Sequence, residues 1–167
     1  IRGLTDIGGS FLDVIGDLVV SGVGAVADDP AALRAEQDAL LLEVWQACNK
    51  SGHELLLEVI LPENGPDKDE RHYHTMLEHF YQLGIKPDWW KLPPLSSASW
   101  EKIAGLIARE DPWCRGILLL GLDAPSDRLR AGFAEAAGHP IIKGFAVGRT
   151  IFGQPSRRWM AGELSDE

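Results

Sequence analysis

Residues 52–92, GHELLLEVILPENGPDKDERHYHTMLEHFYQLGIKPDWWKL, contain one complete β/α repeat followed by a second strand. The apolar run at 55–60 is typical of a buried strand, and a loop rich in Pro, Gly, Asn and Asp follows it. Apolar residues then recur at helical spacing over 73–83, and Gly84 ends the predicted helix. Residues 88–92 form the next predicted strand. This order predicts parallel strands joined by crossover helices, which is the α/β class.

The alternation continues upstream of this repeat. Residues 31–50 place apolar side chains on one helical face, and Gly52 is the predicted stop. Residues 1–27 are predicted to be a lead-in or a further strand, because the apolar stretch at 18–26 is diluted by glycines. We therefore divide the chain into residues 1–27 and a β/α region at 28–167.

Downstream, the same pattern predicts two more strands and three more helices. Apolar runs bounded by glycine mark the strands, and serine or proline marks each helix start. The predicted features are a helix capped by Ser97 or Ser99, a strand at 117–120, a helix capped by Ser126 and ended by Gly138, a strand at 141–147, and a short helix started by Pro155.

Composition excludes several classes of protein. The chain has 16 basic and 25 acidic residues, and its net charge of −9 argues against binding to a nucleic-acid backbone. Its apolar runs are far shorter than the ~20 residues that cross a bilayer, so no membrane span is expected. No export signal pattern is present. Cys48 and Cys114 have neither metal-ligand nor disulfide-framework spacing, which favours a reducing, cytoplasmic compartment.

Two charged residues interrupt the apolar strands at their ends. Glu58 lies in the predicted strand 55–60, and Lys91 lies in the predicted strand 88–92. Neighbouring strands are ~4.8 Å apart, so the two side chains can meet. An amine attacks a ketone only in its neutral form, which an apolar surrounding favours, and a nearby carboxylate can move protons. The pair could equally be a structural ion pair that fixes strand register, or Lys91 could extend to the surface.

The last predicted strand ends in Gly148 and Arg149. Glycine lets backbone N–H groups approach an anion, and arginine supplies a forked donor. Gly121, which closes the preceding strand, would form the other side of such a site. Barrels often bind phosphate with the loops after their last two strands, so these residues are candidate phosphate ligands. The alternative is two tight turns and a solvated arginine.

Three histidines lie close together in the predicted helix after the first repeat. His72, His74 and His79 do not share a single helical face, and no HExxH-like motif is present. We therefore expect no metal site.

Three segments together resemble a known family. Residues 51–60 (SGHELLLEVI), 86–92 (KPDWWKL) and 143–152 (KGFAVGRTIF) resemble the aldolase-like carboxyl-terminal domain of bacterial 5-dehydro-2-deoxygluconokinase, which belongs to myo-inositol catabolism. That domain is similar to the tagatose-1,6-bisphosphate aldolase family of class I enzymes. The resemblance runs from about residue 28 to the end of the chain.

The resemblance implies a TIM-type (β/α)8 barrel and a set of functional residues. It implies that Lys91 is the Schiff-base lysine at the end of the sixth barrel strand and that Glu58 is the acid/base glutamate at the end of the fifth. Gly121, Gly148 and Arg149 match the phosphate-binding end. A complete barrel needs ~250 residues, so we expect this chain of 167 residues to hold mainly the carboxyl-terminal half.

The implied activity is cleavage of a phosphorylated keto sugar acid. The resemblance suggests 6-phospho-5-dehydro-2-deoxygluconate as substrate and dihydroxyacetone phosphate and malonate semialdehyde as products, with no cofactor. A homo-oligomer or a fused sugar kinase domain is the expected partner. The alternative is a non-catalytic barrel fragment with an oligomerising or regulatory role.

Overall fold

Strands and helices alternate along the chain. The structure, a computed structural model, describes residues 11–14, 30–61, 69–121 and 124–165. The strands are β1 (Phe11–Val14), β2 (Glu54–Glu58), β3 (Trp89–Leu92), β4 (Gly116–Leu120) and β5 (Ile142–Ala146). The helices are α1 (Pro30–Ser51), α2 (Arg71–Gln82), α3 (Ser97–Glu110), α4 (Ser126–Ala136) and α5 (Arg149–Met160).

The described strands form one sheet in the order β1-β2-β3-β4-β5. Every neighbouring pair is parallel, so each strand pairs with the next one along the chain. Parallel neighbours require a crossover connection, and α1 to α4 occupy the four crossovers. The predicted α/β class is therefore confirmed, and the arrangement is consistent with part of an α/β barrel-like fold.

One face of the sheet carries the main hydrophobic core. Leu57, Trp90 and Ile117 lie in register across β2, β3 and β4, and all three are fully buried. Because successive strand residues point to opposite faces, Glu58 and Lys91 lie on the other face. Each of the first four helices contributes to the same core, with side chains that include Leu41, Leu77, Phe80, Trp100, Ile103 and Ala136.

Trp90 fixes the orientation of β3. Its indole Nε1 donates a hydrogen bond to the Tyr81 hydroxyl at 2.9 Å, and its ring stacks on Phe80 of α2. A tryptophan anchored on the helix-covered face cannot turn over without breaking these contacts. The neighbouring Lys91 is consequently held on the opposite face.

The start of α3 differs from the prediction. Ser96, rather than Ser97 or Ser99, is the N-cap, and its side chain accepts a hydrogen bond from the backbone N–H of Ser99. Ser96 has the extended backbone that a cap requires, whereas Ser97 is already the first helical residue. The predicted caps were wrong by one to three positions.

The starts of α4 and α5 also differ. Pro125 precedes α4, no side chain among the described residues caps this helix, and Ser126 is its first residue rather than its cap. The chain leaves α4 at Ala137, immediately before the predicted stop at Gly138. Pro155 lies inside α5, which begins six residues earlier at Arg149. The prediction that proline starts this helix was therefore wrong.

The amino-terminal strand falls within the region predicted as a lead-in or strand. β1 (Phe11–Val14) pairs with β2 in parallel, with Phe11 opposite Glu54. The apolar stretch at 18–26 lies outside the described residues. Among the described helices, none combines the length and the apolarity needed to cross a bilayer.

Candidate functional site

Glu58 and Lys91 form an ion pair at the carboxyl ends of adjacent strands. The two residues are direct partners in the β2–β3 register, and Lys91 Nζ lies 3.2 Å from Glu58 Oε2. Only 12% of the lysine side chain and 9% of the glutamate side chain are exposed. The prediction that these residues lie side by side is confirmed. An amine and a carboxylate at this distance can exchange a proton, as a nucleophile and its base must do.

The surroundings of this pair are apolar. Leu118 is the register partner of Lys91 on β4, and Gly144 is the register partner of Leu118 on β5. Leu118 is 7% exposed, so the strand next to the lysine presents a buried apolar side chain to it. Gly144 has no side chain, and among the described residues an added Cβ would meet Leu118 Cδ2 at 3.8 Å. Leu118 therefore separates Lys91 from the glycine of β5.

The predicted phosphate-binding residues meet at the ends of the last two strands. Gly121 directly follows β4, Gly148 is the N-cap of α5, and Arg149 is the first residue of α5. A Cβ at Gly121 would lie 2.8 Å from Val147 Cγ1 and 3.1 Å from Thr150 Oγ1. Gly121 is thus in close contact with the start of α5. The side chain of Arg149 lies outside what the structure describes.

Thr150 was not predicted from the sequence. Its Oγ1 atom is buried and has no hydrogen-bond partner in the described part of the chain. A buried hydroxyl without a partner costs roughly 1–3 kcal/mol. The N-cap Gly148 gives α5 no side-chain cap, so the amino end of this helix also has backbone donors to offer. The sequence signal was a hydroxyl residue in the first turn after a Gly-Arg pair.

A cleft of about 310 Å³ opens beside Gly121. It lies between the connection after β3 and the first turns of α4, where Arg128 is exposed at its rim. Glu58 and Lys91 do not line this cleft. Its other contacts are mainly apolar or small and include Pro94, Leu95, Ala124, Leu129 and Gly132.

The histidines and cysteines singled out in the sequence lie apart from the Glu58–Lys91 pair. His79 Nε2 is 2.9 Å from Asp38 Oδ2, which links α2 to α1. No group of three or more His, Cys, Asp or Glu side chains within the described residues could hold a metal ion. Cys48 and Cys114 are free thiols. Burial raises the pKa of both, and that of Cys114 reaches about 11.

The sheet and the charged pair define an α/β protein with parallel strands and polar groups at their carboxyl ends. The chain belongs to the family described as "Uncharacterized protein conserved in bacteria (DUF2090)", which matches residues 7–167. Comparisons with curated proteins and with solved structures gave no match.

Proposed function

We propose that this chain is part of a TIM-type (β/α)8 barrel that works as a class I aldolase on a phosphorylated keto sugar acid. The observation that carries the proposal is the Lys91–Glu58 pair, held in register and nearly buried at the ends of adjacent parallel strands. The resemblance of the strand motifs to the aldolase-like domain supports 6-phospho-5-dehydro-2-deoxygluconate as the substrate.

The strand order supports the barrel. Parallel crossovers have one hand, so a sheet whose strands follow chain order collects its helices on one face. The buried core has this arrangement, because the first four helices share it with one face of the strands. A barrel closes the other face upon itself, and barrel enzymes place reactive groups at the carboxyl ends of the strands. Glu58 and Lys91 agree with this arrangement, because they lie on the face opposite the helix-covered core and at the carboxyl ends of their strands.

The proposed reaction begins with neutral Lys91 Nζ attacking the ketone carbon. Glu58, which has taken up the proton released by the Lys91 ammonium, donates it to the departing hydroxyl, so that water leaves and an iminium forms. A base then removes the proton from the hydroxyl group on the β-carbon of the iminium. The C–C bond between the α- and β-carbons breaks, and its electrons pass into the iminium. The aldehyde leaves, the enamine takes up a proton, and water releases the ketone product from Lys91. Proton transfer of this kind typically contributes ~10²–10⁴-fold to the rate.

The region where Gly121 follows β4 and Gly148 precedes α5 supports recognition of the phosphate. The amino terminus of α5 presents backbone N–H groups, and anions bind readily to such ends. The Thr150 hydroxyl lies beside Gly121 and has no hydrogen-bond partner among the described residues, and a phosphate oxygen could accept its hydrogen bond. Gly121, Gly148, Arg149 and Thr150 are the proposed phosphate ligands.

Trapping the iminium tests the proposal. The full natural gene product is incubated with dihydroxyacetone phosphate and borohydride, and the modified peptide is identified by mass spectrometry. We expect the reduced adduct on Lys91, because only an amine nucleophile forms a reducible iminium. Lys91→Met should abolish labelling, while Lys143→Met, at an exposed lysine of β5, should leave it unchanged.

Circular dichroism must show that each variant is folded. Labelling that persists in folded Lys91→Met, or a wild-type protein in which Lys91 stays unlabelled, would contradict the Schiff-base assignment. The Glu58–Lys91 pair would then be structural, in line with a non-catalytic oligomerising or regulatory role.

A further inference from the structure

The exposed apolar side chains of this protein are concentrated near one end of the chain. Among the described residues, eight large hydrophobic side chains are exposed, and six of them lie between residues 145 and 164. Leu40 on α1 and Trp113 before β4 are the other two. Single exposed apolar residues are ordinary, whereas a cluster of them marks an interaction surface. The six belong to β5, to α5 and to the residues that follow it: Phe145, Ile151, Phe152, Trp159, Met160 and Leu164.

One side of α5, called here the α5 face, is apolar and exposed. Ile151, Pro155 and Trp159 follow one another at intervals of four residues, and Phe152 lies beside them on the helix surface, three residues before Pro155. All four residues are exposed. In α2 and α3 the apolar side of the helix is buried against the core, as is usual for a surface helix. The α5 face therefore differs from them in pointing its apolar side chains toward solvent.

The exposed apolar area has the size that a stable dimer requires. A buried aromatic side chain covers about 150–250 Å², so six large side chains that are roughly half exposed offer on the order of 500 Å². A standard protein interface buries about 800 Å² on each partner, of which about 60% is apolar. The apolar surface at residues 145–164 is thus close to one side of such an interface.

The position of β5 in the sheet makes this surface continuous with a sheet edge. β5 is the last strand in the sheet order, so no described strand pairs with its outer edge. α5 begins at Arg149, three residues after β5 ends at Ala146. Exposed strand edges that carry apolar residues are places where another protein chain can add. The cleft beside Gly121 is lined by no residue of α5, so a protein surface suits the α5 face better than a small molecule does.

The charges of this region favour a second copy of the same chain. α5 contains three arginines and no acidic residue, whereas residues 161–167 contain three acidic residues and no basic one. In an antiparallel pair of α5 helices, the acidic residues that follow one helix lie near the positive amino end of the other. Parallel pairing would instead bring the arginines of the two helices together. An anionic membrane, which basic amphipathic helices bind, is disfavoured by the same acidic residues.

We propose that two copies of this protein associate through the α5 face about a twofold axis, with their α5 helices antiparallel. A twofold interface uses the same residues of both copies, and an apolar stripe centred on Pro155 meets that requirement. Ile151 of each copy then lies opposite Trp159 of the other. The interface is independent of the proposed aldolase reaction, because no residue of the α5 face belongs to the Glu58–Lys91 pair or to the proposed phosphate ligands.

Sedimentation velocity of the full natural gene product at increasing protein concentration measures the dimer. We expect a reversible equilibrium between monomer and dimer. Ile151→Glu puts a charge into the apolar contact and should raise the dissociation constant at least about 100-fold, because the carboxylate loses water without gaining a partner. Leu40→Glu is the matched control, since Leu40 is 56% exposed on α1 and Ile151 is 58% exposed on α5. That variant should leave the dimer unchanged.

Disulfide trapping gives a second measurement that does not depend on the folding of Ile151→Glu. Pro155 lies at the centre of the proposed helix pair, so Pro155→Cys should give a disulfide-linked dimer on oxidation. Arg157→Cys, on the opposite side of α5, should give none. The native thiols of Cys48 and Cys114 interfere little, because burial raises the pKa of both.

Several results would overturn the proposed dimer. A monomer at every concentration would show that another part of the natural polypeptide covers the α5 face. A dimer that survives in folded Ile151→Glu, or equal disulfide yields from Pro155→Cys and Arg157→Cys, would place the interface elsewhere. Binding of the monomer to phosphatidylserine vesicles that is lost in Ile151→Glu would assign the α5 face to a lipid surface. None of these outcomes depends on borohydride trapping at Lys91, so the two proposals fail separately.

Discussion

The Glu70 carboxylate accepts two hydrogen bonds from Ser96, one from its backbone N–H at 3.0 Å and one from its hydroxyl at 2.6 Å. The connection before α2 thereby holds the N-cap of α3. Burial by itself would raise the pKa of Glu70, but the hydrogen bonds from Ser96 and Ser99 outweigh it, and the pKa lies below its ordinary value of 4.5.

This bridge predicts a pH-dependent stability. The folded-state pKa of Glu70 is lowered, so the contribution is complete above pH 4.5 and is lost as the pH falls through the folded-state value. Glu70→Ala should lower the free energy of unfolding at pH 7 by about 1–2 kcal/mol, since the cap loses its support. Urea unfolding at pH 7 and at pH 3 checks this. A Glu70→Ala deficit that is as large at pH 3 as at pH 7 would contradict the charge-based explanation.

The Glu58–Lys91 pair predicts strong coupling between two substitutions. Lys91→Met leaves a nearly buried carboxylate without its cation and should cost about 3–5 kcal/mol. Glu58→Gln combined with Lys91→Met should recover most of that loss, because no buried charge remains. A double-mutant cycle by urea unfolding measures the coupling. Additive effects would show that the two charges do not depend on each other.

Gly121 is expected to tolerate no side chain. Gly121→Ala puts a Cβ against Val147 and Thr150 and should destabilise the fold by about 1–3 kcal/mol. The control is Gly105→Ala in α3, where a Cβ meets no described residue within 4 Å. That change should stabilise the protein by about 0.5–1 kcal/mol through helix propensity. Thermal unfolding compares the two, and equal effects would argue against close contact at Gly121.

We expect the Thr150 hydroxyl to lower the stability of the free protein and to raise its affinity for the ligand. Thr150→Val replaces a buried hydroxyl, which has no hydrogen-bond partner in the part of the chain that the structure describes, with a methyl group of similar size, so the free protein should gain about 1 kcal/mol. Affinity for dihydroxyacetone phosphate should fall, because a donor is lost. Thr75→Val at an exposed position should leave stability within about 0.5 kcal/mol of wild type. Calorimetry measures both quantities. Unchanged affinity in Thr150→Val would remove Thr150 from the phosphate site.

The Cys114 thiol should react slowly with alkylating reagents in the native protein. Burial raises its pKa from 9.0 to about 11, which lowers the thiolate fraction at pH 8 about 100-fold. Iodoacetamide should therefore modify native Cys114 at least that much more slowly than the unfolded chain. Mass spectrometry of timed samples, with and without guanidinium chloride, follows the reaction. Comparable rates in both conditions would show that the thiol is not protected.

The strands and the charged pair could be predicted because local pattern determines both. Within about six or seven residues, the sequence shows an apolar run that is interrupted near its end by Glu58 or Lys91. Parallel pairing then brings the carboxyl ends of the two strands together. The strand β1 was not singled out within the region predicted as a lead-in or strand. Its assignment depends on pairing with β2, which a local pattern does not contain.

The features that were predicted wrongly or missed depend on residues that are distant in the sequence. Three serines follow one another closely at 96, 97 and 99, and each is a good cap by type. Glu70, 26 residues away from Ser96, decides between them. The burial of the Thr150 hydroxyl likewise depends on Gly121, because a larger residue there would displace it. No local rule relates positions so far apart along the chain.

The strand order has a consequence for how this chain acquires its structure during translation. Each strand pairs with the strand made just before it, so every new β/α unit leaving the ribosome finds its partner already synthesised. Each strand thus has to close a loop of only one β/α unit to reach its partner, which is the shortest connection that parallel pairing allows. A ribosome stalled far enough beyond residue 121 for the whole of β4 to have left the exit tunnel should therefore carry a nascent chain in which β2, β3 and β4 are already paired.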